Sequence, residues 1–159
     1  MNHIICFHNP DEEYGYLSNW YLSRFKVDGI VFSSMEQFMM YRKAICFRDN
    51  NIANKILETD DAGCIKDFGR RVSEYDENHW NGVRQLIVYE GLLAKFSQND
   101  KLKVQLMATE SAVLAECAVK DRIWGIGSSM NDPDRFDRMK WKGQNLLGYA
   151  LMMARDRLR

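Results

Sequence analysis

Residues 33–46 read SSMEQFMMYRKAIC, and apolar side chains cover most of the circumference when this run is drawn as a helix. The two serines favour a helix start, because a serine hydroxyl accepts a hydrogen bond from a backbone N–H of the first turn. A glutamate and a glutamine stand three residues behind the serines, which is the spacing of a capping box. We therefore predict a helix at about 35–46 that is buried on several sides.

The segments on either side of this helix indicate an α+β fold, mainly helical with a few short strands. Asp28-Gly29 favours a two-residue hairpin turn between strands at 25–27 and 30–32, because both turn residues need positive φ. Apolar periodicity predicts helices at about 50–58, 62–71, 78–96, 101–108 and 145–158, and strands at 3–7 and 113–118. At 159 residues the chain is expected to form one compact domain over 1–159.

Composition argues against several classes of protein. Lysine plus arginine equal aspartate plus glutamate at 22 each, so a nucleic-acid partner is expected to contribute only one nucleotide or a short end. The four cysteines and three histidines show no metal-ligand spacing, so we expect no metal site. No apolar stretch reaches the ~18 residues of a membrane helix, and the N-terminus does not resemble a signal peptide. We therefore expect a cytoplasmic protein without a membrane partner.

Two charged residues, Glu36 and Lys43, stand on the predicted central helix. Seven residues separate them, nearly two turns or ~10.5 Å along the axis, so both side chains point the same way. Burial raises the pKa of a carboxyl group and lowers that of an amine, which are the shifts that an acid, a base or a nucleophile needs. The alternative is structural, with Glu36 completing a capping box with Ser33 and Lys43 extending to solvent.

Two further segments carry candidate ligand contacts. Trp80 lies at the start of a long predicted helix, and Trp124 is followed by Gly125 and Gly127. Glycines let a loop approach a flat ligand closely, and an indole can stack on a base. The structural alternative is a pair of core tryptophans. Asp121 is either a turn residue or a carboxylate that stabilises positive charge on a sugar.

Arg70 and Asn145 are weaker candidates. Arg70 follows a glycine and offers a bidentate guanidinium to a phosphate, or else it is a solvated charge. Asn145 is either the cap of the last helix, which is the commoner use of such a residue, or a polar contact to a ligand.

Many of these residues belong to segments that match one protein family in order. The segments are Leu17-Ser18-Asn19-Trp20, Asp28-Gly29, Phe32-Ser33-Ser34-Met35-Glu36-Gln37, Lys43-Ala44, Gly69-Arg70, Trp80 with Arg84, Lys95-Phe96, Leu106-x-x-Thr109, Asp121-x-x-Trp124-Gly125-x-Gly127 and Trp141-x-Gly143-x-Asn145-x-Leu147-Gly148. Together they resemble the NADAR superfamily, also called the YbiA-like family, over nearly the whole chain.

The resemblance implies a mainly helical α+β fold that receives a ribose-containing ligand in a cleft, and an N-glycosidase without a cofactor. Some members are similar to enzymes that split phosphoribosylamino-pyrimidine intermediates of riboflavin synthesis. Others are similar to enzymes that remove ADP-ribose from guanine, so an ADP-ribosyltransferase toxin is an expected counterpart. The resemblance assigns functional positions to Glu36, Lys43, Trp80, Asp121 and Trp124. We expect further substrate contacts from Asn19, Arg70, Gly125, Gly127 and Asn145.

Cleavage of an N-glycosidic bond builds positive charge at the ribose C1 and negative charge on the leaving amine. We expect Glu36 or Asp121 to stabilise the positive charge and to activate water. Lys43 either donates a proton or attacks C1 and forms a Schiff base with the opened ribose. The two tryptophans stack on the base or hold the sugar, and Arg70 contacts phosphate. Rival interpretations are a module that binds NAD or ADP-ribose without turnover and a purely structural domain.

Two features favour an ADP-ribosyl substrate over a riboflavin intermediate. Ile126 stands where riboflavin-type bacterial members often carry an acid. Residues 128–140 form a polar stretch that those shorter members largely lack. The sequence therefore predicts removal of ADP-ribose from modified guanine, in a nucleic acid or a nucleoside.

Overall fold

The computed structural model describes residues 3–159. The helices and strands, in chain order, are β1 Ile4–Phe7, β2 Phe25–Val27, β3 Ile30–Phe32, α1 Met35–Cys46, α2 Asn50–Leu57, α3 Ala62–Arg70, α4 Glu77–Ser97, α5 Asp100–Met107, β4 Val113–Glu116 and α6 Leu146–Leu158. Short 3-10 turns occur at Gly15–Leu17, Pro133–Phe136 and Arg138–Lys140. The predicted α+β class is confirmed, and the ends of the predicted elements move by no more than two residues.

The chain divides into two compact units. The central unit is Leu22–Asn99, and the terminal unit combines the described residues up to Tyr21 with Asp100–Arg159. A single domain over 1–159 stays a prediction. Among the described helices, none is both long enough and apolar enough to cross a membrane.

The central unit begins with the predicted hairpin. Strands β2 and β3 pair antiparallel, with Phe25 opposite Phe32. Asp28 and Gly29 have φ values of 50° and 82°, so both occupy the left-handed region that a two-residue hairpin turn requires. The local signal in the Asp-Gly pair therefore determines this turn.

Helix α1 contacts α2, α3 and α4 and is the centre of this unit. All six residues from Met35 to Met40 are buried, which confirms burial on several sides for the first half of the helix. Two glycines allow the neighbouring helices to come close: a Cβ on Gly69 would lie 2.0 Å from the Met40 sulfur, and one on Gly91 would lie 2.5 Å from the Phe38 ring. The expectation is wrong at Ile45, which is 40% exposed in the last turn.

The terminal unit is built around a pair of parallel strands. Strand β1 pairs with β4 so that Ile4 lies opposite Val113 and Phe7 lies opposite Glu116. Helix α6 packs against β4. Parallel strands present their carboxyl ends at the same edge, so the residues that follow β1 lie beside the last residue of β4.

Candidate functional site

At the start of α1, the residues that cap the helix are the neighbours of Glu36 and not Glu36 itself. The hydroxyl of Ser34 accepts a hydrogen bond from the Gln37 backbone N–H at 3.1 Å. The Gln37 side-chain oxygen accepts in turn from the backbone N–H of Ser33 at 2.7 Å. Because Ser34 and Gln37 form the cap, the capping-box alternative for Glu36 is wrong. Glu36 is a carboxyl residue only 5% exposed, on a helix whose cap it does not form.

Lys43 lies among aromatic rings. Its Nζ lies 4.6 Å from the centroid of the Tyr75 ring and 5.9 Å from that of Trp80. Burial lowers the pKa of the Lys43 amine below its ordinary value, and the charge of Glu36 opposes this shift. The expected direction is therefore confirmed, and Lys43 is more than a side chain that extends to solvent. Its amine is easier to deprotonate than that of an exposed lysine.

Trp80 is a buried residue in the first turn of α4. Asp76 caps this helix, because its carboxylate accepts a hydrogen bond from the His79 backbone N–H at 3.0 Å. The burial of Trp80 agrees with the structural alternative for this one residue, while its ring also lies close to the Lys43 amine. A stacking contact with a ligand stays a prediction.

The sequence analysis missed Tyr75, which is 45% exposed and lies nearer to the Lys43 amine than Trp80 does. The loop before it is held by Asp49, whose carboxylate accepts from the Ser73 backbone N–H at 2.9 Å and from its hydroxyl at 3.0 Å. The Phe47 ring packs edge-on against the Tyr75 ring with centroids 5.4 Å apart. An aromatic residue directly before a helix cap was the only sequence signal for this position.

Arg70 lies in the last turn of α3 and is exposed. Its guanidinium pairs with Asp67 at 3.2 Å, with both side chains about two-thirds exposed. Exposed ion pairs of this kind contribute little to stability. The position fits a solvated charge, and a contact with phosphate stays a prediction.

In the terminal unit, Asp121 shapes the turn that precedes Trp124. One carboxylate oxygen accepts hydrogen bonds from the backbone N–H groups of Ile123 at 3.0 Å and of Trp124 at 2.8 Å. Gly125 is packed tightly, since a Cβ there would lie 2.9 Å from the carbonyl oxygens of Glu116 and Asp121. Asp121 is therefore a turn residue, one of its two expected uses, and its role toward a sugar stays a prediction.

The loop continues through Gly127, which has a φ of +73° that side chains rarely adopt. Ile126, between the two glycines, is fully buried against Cys6, Ala115 and Cys117. Its backbone N–H donates to the Glu116 carbonyl at 2.8 Å. Gly125 thus lets the loop lie close to the end of β4, whereas Gly127 lies close to Arg122 and Lys142. A contact of either glycine with a ligand stays a prediction.

Asn145 joins the start of α6 to strand β4. Its side-chain oxygen accepts from the Glu116 backbone N–H at 3.0 Å, and its amide nitrogen donates to the Leu114 carbonyl at 2.8 Å. The prediction that its side chain caps α6 is wrong, because it makes no capping hydrogen bond and its backbone is left-handed. Asn145 is fully buried and holds β4 in place; a contact with a ligand stays a prediction.

Asn19 has an unusual environment in the same unit. It is 8% exposed, and its side-chain oxygen is buried without a hydrogen-bond partner among residues 3–159. A buried acceptor of this kind costs free energy unless a ligand or water donates to it. The geometry supports Asn19 as a candidate substrate contact.

The sequence analysis also missed a histidine and a carboxylate at the edge of the parallel strands. Nδ1 of His8 and Oε1 of Glu116 lie 3.0 Å apart. His8 follows β1 and Glu116 ends β4, so the pair exists only because the two strands lie side by side in parallel.

The structure therefore brings Glu36, Lys43, Trp80 and Tyr75 into one unit. It brings Asp121, Trp124, the two loop glycines and Asn145 to β4 in the other.

Comparisons with known proteins agree with the resemblance seen in the sequence. The chain is 38% identical over 144 residues to an N-glycosidase of Acanthamoeba polyphaga mimivirus, covering 87% of this chain and 85% of that protein. It is 31% identical to a riboflavin biosynthesis protein of Vibrio vulnificus over 99% of this chain, but covers only 39% of that protein.

The N-glycosidase YbiA of Escherichia coli is 30% identical over 155 residues, covering 98% of this chain and 88% of YbiA. The NMR structure of E. coli YbiA matches with a TM-score of 0.82 at 30% identity, covering 99% of this chain and 86% of that one. The model of the NADAR domain matches residues 6–159. The chain therefore belongs to the NADAR domain family.

Proposed function

We propose that this chain is an N-glycosidase that hydrolyses the bond between a ribose C1 and an amino nitrogen. The observation that carries the proposal is the environment of Lys43, an amine with a lowered pKa beside two aromatic rings, on the same helix as the buried Glu36. Two relatives with the name N-glycosidase, from mimivirus and from E. coli, support the same reaction class.

The chemistry of this bond suits the residues of the central unit. A carboxylate stabilises the positive charge that develops at C1 as the C–N bond lengthens. A neutral amine can attack C1, and opening of the sugar ring then gives an iminium that water hydrolyses. We assign the carboxylate to Glu36 and the amine to Lys43, with Asp121 as the alternative carboxylate. If Lys43 stays protonated, it acts instead as a proton donor or as an electrostatic contact.

ADP-ribosylated guanine is the substrate that we propose. The buried Ile126 between the two loop glycines leaves no acid at the position where riboflavin-type members often carry one. The balanced charge of 22 basic and 22 acidic residues suits a single modified nucleotide rather than a long nucleic acid. The partner reaction is then an ADP-ribosyltransferase that modifies guanine, as in a toxin.

A second candidate substrate is a phosphoribosylamino-pyrimidine, because a relative in Vibrio vulnificus has the name of a riboflavin biosynthesis protein. A third candidate is binding of NAD or ADP-ribose without turnover. The three candidate functions differ only in which ligand is bound and in whether its C–N bond is cleaved.

The test is an assay of the purified chain against ADP-ribosyl-guanosine, an ADP-ribosylated oligonucleotide and the phosphoribosylamino-pyrimidine, with product release followed by mass spectrometry. We expect release of unmodified guanine nucleoside and of ADP-ribose, and no release by a Glu36→Gln variant. Turnover of the pyrimidine alone would replace the proposed substrate. Tight binding of ADP-ribose with no turnover of any substrate would identify a binding module.

A further inference from the structure

Two cysteines, Cys6 and Cys117, lie side by side in the terminal unit, and neither has a role in the function proposed above. Cys6 lies on β1 opposite Ala115 of β4, and the backbone N–H of Cys117 donates to the Phe7 carbonyl at 2.8 Å. Because side chains alternate along a strand, Cys6, Ala115 and Cys117 face the same side of the strand pair. The two thiols are in hydrogen-bonding contact and belong to one buried cluster.

The two thiols differ in exposure and in the charges around them. Cys6 is 9% exposed and Cys117 is 2% exposed. The hydrogen bond from the Cys117 thiol lowers the pKa of Cys6 below its ordinary value, the Arg135 guanidinium adds to this, and burial opposes it. The bond to Cys6 raises the pKa of Cys117, and burial and the charge of Glu116 add to this while Arg135 opposes it. Cys6 is therefore the thiol that ionises first, whereas Cys117 keeps its proton.

Arg135 reaches Cys6 from the segment of the two short 3-10 turns at 133–140. Its Nη1 donates to the Asp132 carbonyl at 2.9 Å, and its own carbonyl accepts from Nε1 of Trp141 at 2.8 Å. Its Nε is buried without a hydrogen-bond partner among residues 3–159. Reactive cysteines occur in partly exposed, electropositive surroundings of this kind. The segment thus holds a cation beside the sulfur that ionises.

We propose that Cys6 and Cys117 form a reversible oxidation site that reacts with a peroxide and closes into a disulfide between β1 and the end of β4. The Cys6 thiolate attacks one oxygen of hydrogen peroxide and the O–O bond breaks, which gives a sulfenic acid and hydroxide. The proton lost from Cys6 converts the hydroxide to water. The Cys117 sulfur then attacks the Cys6 sulfur, and the hydroxyl group leaves as water with the Cys117 proton. The peroxide takes up the two electrons that the sulfurs lose, and a thiol reductant returns them.

The other two cysteines are internal controls. Cys64 has an exposed thiol, but its hydrogen bond with the Asp61 carboxylate raises its pKa. Burial raises the pKa of Cys46, and the charge of Arg42 opposes this. If exposure alone decided reactivity, Cys64 would be oxidised first. The contacts of Cys6 predict instead that Cys6 is oxidised first.

The first experiment treats the reduced full chain with hydrogen peroxide, alkylates the remaining thiols and maps the peptides by mass spectrometry without reduction. We expect a cross-linked pair of peptides with Cys6 and Cys117, formed at least about fivefold faster than Cys64 is oxidised and removed by dithiothreitol. In Cys117→Ala, dimedone should trap a sulfenic acid on Cys6. Oxidation of Cys64 before Cys6, or the absence of a cross-link in the wild type, would overturn the inference, and the wild-type result decides by itself if Cys117→Ala fails to fold.

The second experiment tests the cation beside Cys6. Arg135→Gln is expected to slow formation of the cross-link at least about threefold, because the thiolate loses the charge that favours it. The matched control is Arg138→Gln, which removes an arginine of the next 3-10 turn that donates to the Tyr149 hydroxyl at 3.1 Å. This control should be oxidised at the wild-type rate. Equal rates for Arg135→Gln and the wild type would overturn the role of Arg135.

The melting temperature tests whether the disulfide fits the folded chain. The cross-link closes a loop over residues 7–116, and a loop of this length restrains the unfolded chain strongly. The oxidised protein is therefore expected to melt about 5 °C or more above the reduced one, and dithiothreitol should remove the difference. An oxidised chain that melts at the same or a lower temperature would mean that the bond forms only in a distorted chain, and would overturn the proposed site.

Discussion

The ammonium nitrogen of Lys43 lies 4.6 Å from the centroid of the Tyr75 ring. A ring face attracts a cation, while burial beside the same ring disfavours the charged form. The net result is a pKa below the ordinary value of a lysine. The two residues are 32 positions apart in the sequence, and the hydrogen bonds of Asp49 to Ser73 hold the loop that brings them together.

Glu36→Gln is expected to lower the turnover rate at least about 100-fold while the protein stays folded, because the change keeps the shape of the side chain and removes its charge. The matched control is Ser34→Ala, which removes the hydroxyl that accepts from Gln37. Loss of such a cap costs about 1 kcal/mol, so the control should melt earlier and stay active. If Glu36→Gln retained activity within about threefold of wild type, the assigned role of Glu36 would be wrong.

Reduction with borohydride during turnover is expected to trap an adduct of ADP-ribose on the peptide that carries Lys43. Trapping should increase as pH rises, because the amine must lose its proton before it can attack, and the midpoint should lie below 10.5. Mass spectrometry of the digested protein measures the amount of adduct on this peptide and its dependence on pH. Lys43→Arg should give no adduct, while Lys55→Arg, a change on the exposed side of α2, should give the full amount. An active Lys43→Arg enzyme would indicate direct attack by water.

Tyr75→Ala is expected to raise KM at least about fivefold, because stacking of an aromatic side chain on a base is worth about 1–3 kcal/mol. Tyr75→Phe keeps the ring and should stay within about twofold of wild type. Steady-state kinetics on the modified guanosine measure the effect. A loss of kcat with unchanged KM in Tyr75→Ala would mean that the ring acts on Lys43 rather than on the substrate.

Asn145→Gly is expected to lower the free energy of unfolding by about 2 kcal/mol or more, because the N–H of Glu116 and the carbonyl of Leu114 lose their partner. Asn145→Ala should lose about 1 kcal/mol beyond that, since alanine fits poorly at a φ of 54°. Urea unfolding measures both, with the exposed Asn54→Ala as a control expected within about 0.5 kcal/mol. Equal stability of Asn145→Gly and wild type would contradict the supporting role of Asn145.

The elements that the sequence predicted well depend on residues close together in the chain. The Asp28-Gly29 turn, the serine-rich start of α1 and the apolar periodicity of α4 are local signals, because φ preference, capping and side-chain spacing act over a few residues. Even there the sequence left open which side chain completes the cap of α1. Glu36 stands three residues behind Ser33, and Gln37 stands three residues behind Ser34. Only the packed helix shows that Gln37 serves the cap and Glu36 does not.

The sequence alone determined the α+β class, the bounds of the helices and strands to within two residues, and the family to which the chain belongs. Tertiary structure decided which side chains meet. Tyr75 reaches Lys43 only through the packing of a loop, and His8 meets Glu116 only because β1 and β4 pair in parallel. The side chain of Asn145 does not cap α6 as expected, because its left-handed backbone directs the side chain toward β4. Such contacts join residues that are 29 to 108 positions apart in the chain. They form because of the packing of a whole unit, and they therefore leave no local pattern in the sequence.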